Sequence, residues 1–410
     1  MNAVIRFFTT TLPRAVGTFF SRFPELWIAA LTTCIFLLLL PVKFWWVVFT
    51  VTVLLVGTFR RVREIPAVQR VLRFVERYQS YLGLILIFIL GIVVCQINAP
   101  TDRDGNPYNP FLTARNQTNV LRQVSINGVL AVGMTGVILA AGIDLSVGAV
   151  LALCAVAAAD LLRYYQWPVV AVIPAVLLLG FACGLTNGLL VTKARLQPFI
   201  ATLAMFSMAR GLAKYWGVWH GGGNQLIGLS PQEIIGGQTV HYDNIRQFLF
   251  LASNIGGGLK FQSVIFITVV ALGIFTLNKT RFGRYIYAIG GNEEAARLSG
   301  INVTFVKNWV FAICGLLAGV AGLVYAADLQ SGDPNAGFGF ELDAIAAVVI
   351  GGTSLMGGVG GMVGTLLGAL IIGYINNIMA LKGLGSELQF ILKGIIIVLA
   401  VMLQRSKKAG

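Results

Sequence analysis

The chain has 410 residues, of which 57% are hydrophobic and only 11% charged. A soluble chain of this length would divide into two or three domains coated with charge, so a water-surrounded globule is excluded. The net charge of +14 would suit nucleic acid, but its placement in loops between apolar runs is that of a membrane protein, and no nucleic-acid partner is expected.

The start is basic and partly amphipathic (Arg6, Arg14, Arg22) and leads into an apolar run without a small-residue cleavage site, so no secretory signal is expected. Apolar runs of about 16–24 residues follow, and at 1.5 Å per residue such a run crosses a hydrocarbon core of about 30 Å. The segments 26–41, 44–57, 81–99, 124–142, 145–162, 168–191, 198–216, 261–277, 305–327, 343–356, 362–381 and 388–403 predict an all-α polytopic membrane protein with about 12 hydrophobic segments. Helices are required because lipid offers backbone groups no partners. The first two runs share the joint Pro41-Val42-Lys43 and read as a helical hairpin. The tenth is short enough to be re-entrant or broken instead of a full span. The division expected is 1–77, an extension with the hairpin and a basic linker; 78–404, the membrane core; and 405–410, a basic tail.

Charge orients these spans. Arg60, Arg61, Arg63, Arg70, Arg73 and Arg77, then Lys193 and Arg195, then Lys279, Arg281, Arg284 and Arg297, and finally Arg405, Lys407 and Lys408 all fall on one side if the spans alternate. By the positive-inside rule that side is cytoplasmic, as are both termini, and the loops near 100–118 and 217–260 face outward. Cys34, Cys95, Cys154, Cys183 and Cys314 lie in apolar runs and read as small apolar residues. His220 and His241 sit in a polar loop with no ligand partners, so no metal site and no cofactor on this chain are expected.

Three stretches carry chemistry. In the break 142–148 (Gly-Ile-Asp-Leu-Ser-Val-Gly), Asp144 reads either as a gate residue or as a helix cap, with Ser146 as the other cap candidate. Asn127, Asn187, Asn376 and Asn377 line a pore or bond across helices. The second stretch, 332–343, is a turn-rich loop in which Glu341 and Asp343 stand at the mouth of a path or in a helix's first turn. It leads to Thr353 and Ser354 and then to Gly360, Gly364 and Gly368, whose spacing predicts close helix packing. Residues 129–148 and 344–358 echo one another weakly, each an apolar helix, a glycine-rich break and another helix, which reads either as an internal repeat or as the chance likeness common among apolar sequences. In the third stretch Asn292 caps a helix begun by Glu293 and Glu294, continued by Ala295, Ala296 and Arg297 and ended at Gly300. So short a helix in a loop needs a docking surface, either its own spans or a partner protein. No G-x-x-x-x-G-K-[ST] loop and no Gly-Lys dipeptide occur, so ATP is not bound here by a P-loop, and no catalytic motif is present.

Four ordered motifs, at 130–148, 198–204, 283–301 and 341–360, resemble those of the ribose/xylose-type permease subunits of bacterial ABC monosaccharide importers, over about 78–404. The stretch 290–301 is similar to that of xylose and multiple-monosaccharide permeases. The resemblance implies a core of about ten helices like the vitamin B12 importer permease, working in the bacterial inner membrane as a pair, with a homodimer expected. It implies a periplasmic sugar-binding protein outside, and inside a separate ATPase that carries ATP and Mg and docks on 292–301. Asn127, Asp144, Ser146, Asn187, Glu341, Asp343, Thr353, Ser354 and Asn376 are the path or gate candidates for alternating access. The extension 1–77 departs from many relatives. The rival reading is an ion-coupled secondary transporter, which would use Asp144, Asp160 or Asp343; a membrane scaffold is a third.

Overall fold

The computed structural model describes residues 66–97, 100–101, 107–220, 226–235, 238–256 and 258–405. The expected hairpin of 26–41 and 44–57 lies outside the described residues, as do Arg60, Arg61 and Arg63. The chain divides into two units, Met1–Gln79 with Val398–Gly410, and Ser80–Ile397.

The protein is a mostly helical, multi-pass membrane protein. Among the described residues six helices are long and apolar enough to span a bilayer: Tyr78–Gln96, Ala114–Leu139, Val169–Thr192, Phe261–Lys279, Val303–Leu329 and Met362–Leu381. In chain order the helices begin with α1 (Pro66–Gln96, non-helical at Tyr78), α2 (Ala114–Leu139), α3 (Val147–Arg163), α4 (Val169–Thr192) and α5 (Pro198–His220). They continue with α6 (Asp243–Phe248), α7 (Phe261–Lys279), α8 (Arg281–Gly291), α9 (Glu293–Leu298) and α10 (Val303–Leu329). The last are α11 (Phe340–Ile350), α12 (Met362–Leu381) and α13 (Ser386–Arg405).

An all-α chain was expected, but three small antiparallel sheets occur among the described residues. β1 (Ile227–Gly228) pairs β6 (Ser331–Gly332), β2 (Gln232–Ile235) pairs β3 (Gln238–His241), and β4 (Asn254–Gly256) pairs β5 (Leu259–Lys260). All but β6 lie in the segment read from sequence as a polar loop. There strands satisfy the backbone groups of residues too polar for a span. This cap is tied down by Arg163 bonding Glu233 at 2.6 Å and by Asn244 donating to the Leu162 carbonyl at 2.7 Å.

Small residues set the packing. On α4, Gly180, Gly184 and Gly188 recur every four residues, and a Cβ on any of them would meet α10 backbone at Gly315, Phe311 or Asn308. Lipid tails are as apolar as leucine, so membrane helices associate through such close contact and through hydrogen bonds. At one end of α12, Asn116 and Asn377 exchange amide hydrogen bonds of 3.0 and 2.8 Å beside the Phe111–Tyr374–Phe88 cluster.

The tenth apolar run is broken. α11 has 11 residues, about 16 Å at 1.5 Å per residue, half a hydrocarbon core. The expected stretch 343–356 therefore stops at Ile350, because glycines end the helix: Gly352, Gly357, Gly358 and Gly360 all have positive φ. Gly360, expected on a helix face with Gly364 and Gly368, lies instead in this loop at φ +142. Only the other two face α11, against Gly351 and the Ala347 carbonyl.

Candidate functional site

α11 begins inside the protein. Gly332 lies against Val156 and Ala159 near the end of α3, whereas Gly337 and Glu341 lie against Gly148 near its start. The chain between them descends along α3, and Gly337 and Gly339, with φ of +66 and +81, turn it into the half-helix. Arg210 of α5 holds this descent through Nη1, which donates to the carbonyls of Pro334 and Ala336 at 2.7 Å each. The positive end of the α11 dipole thus opens in the interior, as in broken membrane helices that face a substrate.

A cavity of about 370 Å³ lies beside that end, between α2, α10, α11, α12 and α13. Asn127, Asp343 and Asn376 line it, together with Lys393 and the Arg122–Asp328 ion pair, neither of which was anticipated. Asp343 is 3% exposed; it accepts from Lys393 Nζ at 2.9 Å and from Asn127 Nδ2 at 3.3 Å. The Oδ1 atoms of Asn127 and Asn376 are buried with no hydrogen-bond partner, an expensive state for an amide oxygen in an apolar interior. Two idle acceptors, an ion pair and the Tyr325–Phe340 ring pair suit a small polar ligand carrying its own O–H donors. Lys393 was missed because one lysine in an apolar run resembles a span-end residue. Its interior signal is pairing with a carboxylate 50 residues earlier.

The other path candidates fall elsewhere. Asp144 caps its own turn, accepting from Ser146 N at 2.9 Å and Ser146 Oγ at 2.6 Å. Asn187 donates to that Oγ at 2.9 Å. The three form one buried knot at the α2–α3 break, apart from the cavity lining. Glu341 sits half-buried against Gly148, next to the cavity residue Phe340 but outside the lining itself. Thr353 and Ser354 belong to the loop after α11, where their amides bond Val348 and Val359 carbonyls at 3.1 and 2.8 Å.

The two echoing breaks touch. Gly358 N donates to the Leu139 carbonyl at 3.0 Å, and Tyr287 Oη of α8 donates to the Gly360 carbonyl at 2.9 Å. Gly290, at the end of α8, is wedged between them, where a Cβ would strike the Leu139 oxygen and the Gly358 nitrogen. Gly290→Ala must push α8 off both breaks, at about 1–3 kcal/mol. A thermal melt of the purified protein should show the loss. Gly291→Ala, which meets open space, should melt as the parent does; equal midpoints for both variants would refute the wedge.

Immediately after the wedge comes α9. Asn292 Oδ1 accepts from Ala295 N at 3.0 Å, and Gly300 ends the turn at φ +81. Glu293 is held by Arg297 at 3.3 Å and by Lys307 of α10 at 2.6 Å. Ala296 is buried, while Glu294, Ala295, Arg297 and Leu298 are exposed. Leu298 is 82% exposed, a bare apolar side chain on an anchored polar helix. It was absent from the sequence-derived set because a helix-ending leucine normally turns inward.

The sequence profile described as "Branched-chain amino acid transport system / permease component" matches residues 116–401. The chain is 43% identical over 330 residues to the ribose import permease protein RbsC of Haemophilus influenzae, covering 80% of this chain and 93% of that protein. It is 42% identical over 338 residues to RbsC of Bacillus subtilis, covering 82% and 94%. It is 36% identical over 366 residues to the xylose transport system permease protein XylH of H. influenzae, covering 79% and 96%.

Proposed function

The chain belongs to the family of permease components of branched-chain amino acid transport systems, and on that premise we propose that it is the membrane subunit of an ATP-driven ABC importer for a monosaccharide such as ribose or xylose. It is a transport subunit and not an enzyme; ATP hydrolysis is the work of a separate chain. The observation that carries the reading is the cavity at the start of half-helix α11, where the Asn127 and Asn376 amide oxygens have no protein partner. Sugar hydroxyls supply the missing donors and need no fixed countercharge. The cavity volume of about 370 Å³ falls within the range of small-ligand sites.

The partners proposed are an ATPase at α9, holding ATP and Mg, a sugar-binding protein on the outer side, and a second permease copy forming a homodimer. The core is that of the vitamin B12 importer type, with twelve apolar segments in all and both termini in the cytoplasm of a bacterial inner membrane. The α8–α9 corner would pass ATPase closure through Gly290 to the two breaks, Asp144–Ser146–Asn187 stiffening one and Thr353–Ser354 the other. Glu341 and Asp343 sit where α11 opens the path. Ion coupling is less well supported: Asp343 is already paired with Lys393, Asp144 with Ser146, and Asp160 accepts from Trp216 Nε1 at 2.9 Å.

Reconstitution with ATPase and binding protein should give ATP-dependent ribose or xylose uptake. Asn376→Ala should weaken it about three- to tenfold, the worth of one hydrogen bond, in a protein that still purifies folded. Uptake by the permease alone, driven by an ion gradient, would sink the reading.

A further inference from the structure

A second concavity, of about 200 Å³, lies between α2, α7, α8, α10 and α12. Its lining includes Val132, Gly136, Leu272, Leu277, Ile286 and Ile313, and Thr276 is its one hydroxyl-bearing side chain. It opens outward past Leu272 and Ile313, both exposed, on helices that span the bilayer. Gly136 lies in its wall, with only Val310 in ordinary contact at 3.7 Å from a Cβ placed there.

One end of this groove is strongly basic. α7 ends at Lys279 and α8 begins at Arg281, the corner being capped by Thr280 Oγ1, which accepts from Gly283 N at 3.2 Å. Gly283 is pressed onto the Thr276 and Leu277 carbonyls, so the corner is tight. It sets exposed Lys279, Arg281 and Arg284 next to groove residues Leu277, Phe282 and Ile286. No Asp or Glu occurs in α7 or α8, and among the described residues none of the three bases has an ion-pair partner.

An apolar groove at membrane depth, ending in three exposed cations at the span boundary, matches a two-part ligand: acyl chain along the groove, anion at the corner. We propose that this groove is a binding site for an anionic phospholipid, with the acyl chain against Gly136, Leu272 and Ile313 and the phosphate headgroup held by Lys279, Arg281 and Arg284. A lipid seated there would brace α8, and so the wedge at Gly290, against α7 and α10.

The test is native mass spectrometry of the full-length chain titrated with phosphatidylglycerol or phosphatidylcholine. Phosphatidylglycerol should be retained preferentially. The triple change K279Q/R281Q/R284Q should lower its retention toward that of phosphatidylcholine, by about fivefold for each charge removed. Gly136→Leu, which fills the groove, should reduce retention of both lipids while the protein still elutes as a folded species. Equal retention of the two lipids by the parent, or undiminished phosphatidylglycerol binding in the triple variant, would overturn the proposal. So would a triple variant that loses the ATPase and keeps the lipid, since the corner would then be a protein contact.

Discussion

Lys393→Met should be among the most damaging single substitutions in the protein, although it replaces a charge with an apolar side chain of similar length on the largely apolar helix α13. Asp343 is 3% exposed and Lys393 is its cation at 2.9 Å. Removing one partner of a buried pair leaves the other charge without compensation, at a cost of about 3–5 kcal/mol. The folded yield and the thermal midpoint of the purified variant should both fall. The double substitution D343N/K393M removes both charges and should recover most of the stability, because an amide at 343 can still bond Asn127. If the restored protein then shows a sugar KM raised about tenfold or more, the carboxylate contacts substrate, since a hydrogen bond to a charged group contributes about 1.5–3 kcal/mol. A Lys393→Met variant as stable as the parent would show that Asp343 and Lys393 do not form a closed ion pair.

The second large effect belongs to α9. Leu298→Glu should leave folding intact, because the side chain is 82% exposed and Ala296 already buries the inner face of the helix. Binding of the ATPase should weaken about thirtyfold or more, the cost of losing an interface anchor worth about 2 kcal/mol. Glu294→Arg combined with Gly300→Trp should act on the same surface, since Glu294 lies one turn before Leu298 on the same helix face. Affinity is to be read on the permease in a lipid disc, with sugar uptake followed in parallel. Unchanged affinity in both variants would mean that the partner docks elsewhere and that the Glu293–Lys307 bond merely pins the helix to its own spans.

These two expectations rest on unequal amounts of sequence information. α9 is local: an Asn cap, two acids in the first turn and a closing glycine are all contained within nine residues, and the helix forms as its caps require. Its exposed leucine depends on which face Lys307 pulls inward, and that follows from packing against α10. The ion pair of the cavity is remote, joining residues 50 apart. Asn376 and Asn377 make the point most plainly. They are neighbours on α12, yet one faces the cavity with an idle oxygen and the other is locked to Asn116. A 100° step around a helix separates the two roles, and no feature of the two residues themselves says which way the helix is rotated.

From hydropathy alone this protein is legible as a bilayer protein, most of its described helices begin and end within a few residues of the predicted runs, and a capped helix is legible in the loop near 293. These follow from hydropathy summed over about 20 residues and from capping chemistry, both local quantities. Packing between distant helices makes the tenth segment a half-helix starting inside the protein, brings the two glycine-rich breaks together at Gly290, and closes Asp144 into a turn with Ser146 while Asp343 faces a cavity. Those outcomes depend on which helix faces touch. Among membrane helices that choice is made by glycine contacts and by a few buried polar bonds between residues far apart in the chain.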